Sequence, residues 1–173
     1  MSETRALFRR TISVDWLKRV MRAALLGGLA AGTLDVFVAS LINHVAPAVI
    51  LRAIASGLYG RWAFVAPTWI VFLGAALQEG MSTVIAATYA IAASFWPRLV
   101  RFSTRAGLAY GVVVYVVMTF VVVPLSYAPT PRHVTLLWLG ENILAMMLFG
   151  LIVAWGCRRS WKRSIAGIDE PAG

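Results

Sequence analysis

Between Arg61 and Arg98 the chain reads WAFVAPTWIVFLGAALQEGMSTVIAATYAIAASFWP (residues 62–97), 36 residues with a single charged side chain, Glu79. A helix needs about 20 apolar residues to cross the hydrocarbon core of a bilayer. Two crossings would leave almost nothing for a turn, so the stretch reads as one long span. Pro67 suits its first turn, where a missing N–H is no loss. A helix from Pro67 to Trp96 would be about 45 Å long and must tilt or protrude.

Three further stretches flank this one. Ala23–Asn43 is 21 residues, Ala106–Pro131 is 26 and Val134–Cys157 is 24, each bounded by a basic residue or histidine. The whole 173-residue chain is 60% hydrophobic and 13% charged. Soluble domains carry about 25% charged residues, so a water-soluble globule and a disordered chain are both excluded. One cysteine, Cys157, excludes a disulfide framework and a Cys-rich metal site. The expected fold is all-α, a four-helix transmembrane bundle. Between its first two spans Pro47–Tyr59, with apolar Val49, Ile50, Ile54 and Leu58, reads as an outer interfacial helix ended by Gly57 and Gly60. Tyr127 and Pro129-Thr130-Pro131 form the outer turn between spans three and four.

Placement of the basic residues sets the orientation. Arg5, Arg9, Arg10, Lys18, Arg19 and Arg22 precede span one. Arg98, Arg101 and Arg105 join spans two and three, and Arg158, Arg159, Lys162 and Arg163 follow span four. Thirteen of the sixteen Lys and Arg thus fall on one side, leaving Arg52, Arg61 and Arg132 on the other. Lys and Arg accumulate on the cytoplasmic side, so both termini are expected there. The chain divides into a basic amphipathic segment (1–22), a transmembrane domain (23–157) and a basic tail (158–173). Ser13–Arg22 reads as an interfacial helix leading into span one. The net charge of +9 is then a belt for anionic lipid headgroups (Arg19, Arg22, Arg98, Arg101, Arg105, Arg158, Arg159), and nucleic acid is not an expected partner.

Three of the seven acidic residues lie inside spans: Asp35, Glu79 and Glu141. An ionised carboxylate at the bilayer centre costs about 2.5–3.5 kcal/mol even on lenient scales. Counted from the outer ends, the three lie about 14, 18 and 12 Å deep, and they are expected to meet inside the bundle. Gln78 and Asn142 supply amides beside them. His44, Tyr115 and Thr119 are candidate proton or ligand partners. Ala24, Gly28, Gly32 and Asp35 share one helical face, as do Ala75, Glu79, Ser82, Thr83 and Ala86; such small faces admit close helix packing. Gly28/Gly32 or Gly107/Gly111 are also candidate faces for a homo-oligomer or another membrane protein. Three readings of the acids stay open: a hydrogen-bonded network of protonated carboxyls, a proton or cation pathway, and a metal or ligand site joined by His44, for which no HExxH or His-x-His spacing is present.

Other features are ordinary. The tryptophans fall near span ends as an aromatic belt, Met146-Met147 suits packing, His133 a solvated loop and Cys157 an interfacial thiol. No nucleophile elbow, P-loop, dinucleotide fingerprint or CxxC is present, so no enzyme chemistry, metal or cofactor is expected.

Ile54-Ala-Ser-Gly-Leu-Tyr-Gly60 followed by Ala63-Phe64, and Gly111-Val-Val-Val-Tyr-Val-Val-Met118 leading into Val121-Val-Val-Pro-Leu-Ser126, resemble YagU-like proteins, small bacterial four-span inner-membrane proteins of uncharacterised function. The similarity covers span one through span four and implies a bacterial plasma membrane. Those relatives often carry a histidine around Gln78-Glu79; this chain has none there, so no histidine-based role carries over.

Overall fold

The structure, a computed structural model, describes residues 14–129 and 135–166. The expected His133 loop, most of the Pro129–Pro131 turn and the two chain ends lie outside the described residues. Four long helices dominate, all apolar and long enough to cross a membrane. They are α1 (Val14–Ile42), α3 (Trp69–Phe95), α5 (Ser103–Val117) extended by a π-helical turn (Met118–Val122), and α6 (Leu136–Ala166). Two short helices complete the set among the described residues, α2 (Pro47–Tyr59) and α4 (Arg98–Arg101), with a 3-10 turn over Gly60–Phe64. The described residues contain no strand.

The long helices pack in the order α3–α1–α6–α5, with α3 also touching α6. Their seams are built from small residues. The core at the basic end holds Ala23 and Ala31 of α1, Ala86, Ala90 and Ala93 of α3, and Val153, Ala154 and Cys157 of α6. Large apolar side chains point the other way: Leu25, Phe37, Phe72, Val113, Phe120 and Leu144 are exposed. An apolar exterior over a small-residue interior is the arrangement that lipid permits and water does not.

Several boundaries differ from the sequence reading. Residues 14–22 are not a separate interfacial helix but the first turns of α1; Val20 is buried, and the Trp16 ring packs against the same core. At the other end α6 runs through Arg158 to Ala166, so the tail begins inside a helix. Pro67 precedes α3, whose N-cap is Thr68. Cys157 is buried in the core rather than interfacial. The faces named for self-association are occupied within the chain, Gly28/Gly32 by α3 and Gly107/Gly111 by α6.

Helix α2 has the expected bounds, and it docks on α3. A Cβ on Gly74 would run into the Leu51 backbone, so the two helices touch there. Gly57 continues the helix and Gly60 ends it, at φ 59°, a left-handed conformation that glycine adopts without strain. The turn after it is held by Arg52, whose Nη1 donates to the carbonyls of Ala63 (2.9 Å) and Ala66 (2.7 Å). Hydrogen bonds from a charged donor are worth about 1.5–3 kcal/mol each at most, less where water reaches them. Arg52→Met should therefore leave the bundle intact but raise amide exchange across residues 60–66 by about tenfold, corresponding to roughly 1.4 kcal/mol. Unchanged exchange would show that Arg52 does not hold the turn.

Candidate intramembrane polar site

The site forms where α1 and α3 come closest. A Cβ added to Gly28 would lie 2.6 Å from the Thr83 Cα, and one on Gly32 would lie 2.7 Å from Ser82 Oγ and 2.9 Å from Glu79 Oε2. Only glycine leaves room for the facing backbone and for that carboxyl. On one side of the seam Gln78 Nε2 donates to Asp35 Oδ2 at 3.0 Å and reaches the Gly32 carbonyl at 3.3 Å. On the other, Thr33 Oγ1 donates to Glu79 Oε1 at 2.9 Å. Glu79 Oε2 is buried and makes no hydrogen bond among the described residues. Two membrane-embedded acids thus sit about Gly32, each tied to a neutral polar group on the opposite helix.

Beside Asp35, α1 and α6 leave a crevice lined by Leu34, Val38, Ala145 and Phe149, too narrow to admit a water. Asp35 therefore takes its hydrogen bond from Gln78 in dry surroundings, where a protein partner counts for more than it would in water.

The third acid stands apart. Glu141 is half-buried and makes no hydrogen bond or ion pair among the described residues. Trp138 Nε1 reaches Asn43 Oδ1 at 3.4 Å, which sets those two residues level. Glu141 lies three residues inward of that level and Asp35 eight, a separation of about 7–8 Å along the helix axes. The expectation of equal depth counted Glu141 from His133, whereas α6 starts at Leu136. Asn142 spends its amide on its own helix, donating to the Trp138 carbonyl at 2.7 Å. His44 sits exposed where α1 ends, in a left-handed turn at φ 53°, about 14 Å along the helix from Asp35. Tyr115 and Thr119 form no side-chain hydrogen bond among the described residues, and Thr119 lies in the π-helical turn. No group of three or more His, Cys, Asp or Glu that could hold a metal occurs among the described residues.

Two features escaped the sequence reading. Thr33 completes the site, and its neighbour Gly32 on the small-residue face of α1 was the available signal. The second is a polar tie between α3 and α5 toward the basic end. Tyr110 donates to the Ile85 carbonyl at 2.7 Å, lies 3.0 Å from the Thr88 hydroxyl and packs edge-on against Tyr89, ring centroids 5.0 Å apart. Thr88 lies seven residues from the end of α3 and Tyr110 seven from the start of α5, so equal depth would have paired them.

No protein-family model, curated protein or solved structure matches the chain. The likeness to YagU-like proteins therefore rests on the quoted residues alone.

Proposed function

We propose that this chain is a structural or accessory component of a bacterial inner membrane, with both termini cytoplasmic, and that its paired carboxyls lock helices together rather than carry ions. One observation supports this reading above all: Asp35 and Glu79 are each bonded across the α1–α3 seam to a neutral partner, Gln78 and Thr33. Among the described residues no polar chain leads from that pair to Glu141, Tyr115 or Thr119. The one-sided distribution of Arg and Lys supports the orientation, and the likeness to YagU-like proteins supports the membrane named. The exposed outer faces are lipid-facing and leave room for a homo-oligomer or another membrane protein.

A second reading, a proton- or cation-coupled permeation protein, is favoured by one atom, the buried and unpartnered Glu79 Oε2. The two are separated by flux. Purified chain in liposomes loaded with a pH-sensitive dye should dissipate an imposed pH gradient no faster than protein-free liposomes. Asp35→Asn and Glu79→Gln should behave the same way. A flux that the wild type shows and a folded Glu79→Gln variant lacks would establish permeation instead.

A further inference from the structure

The seam between α5 and α6 opens into a groove at the basic end. Along α5 the stripe runs Gly111, Gly107, Ser103 in four-residue steps, and along α6 it runs Met146, Gly150, Ala154, Arg158. A Cβ on Gly107 would lie 2.8 Å from the Gly150 carbonyl oxygen and 2.9 Å from the Ala154 methyl, so the helices touch there. One turn further the stripe carries Ser103 and Arg158 in place of Gly and Ala. These two residues with Thr104, Leu151, Ile152 and Trp155 line an open groove of about 360 Å³.

Its chemistry is that of an amphiphile with an anionic head. Leu151, Ile152 and Trp155 form an apolar wall running toward the membrane interior. At the mouth stand the Arg158 guanidinium, the Ser103 and Thr104 hydroxyls and the start of α5, which has no side-chain cap. The first N–H groups of a helix carry partial positive charge and seek an acceptor. Ser103 is only 7% exposed, yet its hydroxyl makes no hydrogen bond among the described residues. Arg158 has no acidic partner among them either. Arg159, its guanidinium 4.5 Å from the centroid of the Trp155 ring, adds a second cation at the rim. Belt arginines on an open surface attract any anionic lipid; here an arginine and two hydroxyl side chains line one groove together with an apolar wall.

We propose that this groove holds one anionic phospholipid, its phosphate against Ser103, Thr104 and Arg158 and an acyl chain along Leu151 and Ile152. The test uses the full chain in mild detergent, titrated with dioleoylphosphatidylglycerol or dioleoylphosphatidylcholine and read by native mass spectrometry. The wild type should retain one phosphatidylglycerol in preference to phosphatidylcholine, with excess inorganic phosphate unable to displace it. Arg158→Gln and Ser103→Ala should each weaken retention by about tenfold, as for loss of one hydrogen bond to a charged group, while Arg22→Gln, elsewhere on the belt, changes nothing. Ser103→Ala removes the hydroxyl without adding bulk or changing charge, so it reports on the site even if Arg158→Gln fails to fold. Equal retention of the two lipids, equal losses in the Arg22 and Arg158 variants, full retention in Ser103→Ala, or displacement by phosphate would each overturn the proposal. None of these outcomes depends on whether the carboxyl groups move ions.

Discussion

Replacing Gly111 with Leu should destroy the bundle as a monodisperse particle. A Cβ there would lie 2.7 Å from both the Met146 carbonyl carbon and the Met147 Cα, and nearer still to the Met146 oxygen. Overpacking a core typically costs about 1–3 kcal/mol when side chains can rotate away. Here the obstacle is backbone on the facing helix, so α5 and α6 must separate, and the expected loss is about 3 kcal/mol or more. Gly80, in the middle of α3, is the control, since a Cβ there meets nothing within 4 Å. Gly80→Ala should be neutral or stabilising, by up to about 1 kcal/mol from helix propensity. Unfolding in mixed micelles of mild detergent and dodecyl sulfate, with size-exclusion profiles, reads both. If the two variants unfold alike, the α5–α6 seam is misplaced.

Gln78→Leu should be the most damaging polar-to-apolar change in the membrane interior. The side chains are similar in size, so packing is nearly conserved and the effect isolates the amide. Asp35 would keep its burial and lose its only side-chain donor among the described residues, and the Gly32 carbonyl would lose its bond to the same amide. Leaving a buried polar group unanswered costs about 1–3 kcal/mol. Asn142→Leu is the comparison, because among the described residues that amide serves only the Trp138 carbonyl of its own helix. Its loss should cost about 0.5–1 kcal/mol, as for an ordinary hydrogen bond. The same unfolding assay ranks the two, and a reversed order would place the critical amide on α6 rather than α3.

The helix count and the packing seams were legible because they depend on properties that survive small errors. A run of 36 residues with a single charged side chain spans the membrane wherever its helix begins, and Gly28, Gly32, Gly107 and Gly111 mark close approaches whichever helix answers them. Partner choice is less forgiving. Moving a helix start by two residues, as from Pro67 to Trp69, shifts a side chain by about 3 Å along the axis and more than half a turn around it. That sensitivity is why Glu141 was expected beside the other acids, and why Tyr115 and Thr119 were named where Tyr110 makes the cross-helix bond. Composition also cannot tell that Gln78 turns to Asp35 while its neighbour Glu79 turns to Thr33. Adjacent residues on a helix point about 100° apart, so one rotation of α3 decides both pairs. The docking of α2 through Arg52 was hidden for another reason: its acceptors are main-chain carbonyls, which every residue possesses.

A double-mutant cycle on Asp35 and Gln78 puts the cross-seam lock to the sharpest test. Asp35→Leu, Gln78→Leu and the double variant are unfolded side by side in the same mixed micelles. If the two side chains answer each other, each single change strands a buried polar partner. The double change removes both and should cost less than the sum of the singles by about 0.6–1.7 kcal/mol, the range of polar pairs between membrane helices. Losses that simply add would mean that the acid on α1 and the amide on α3 act independently.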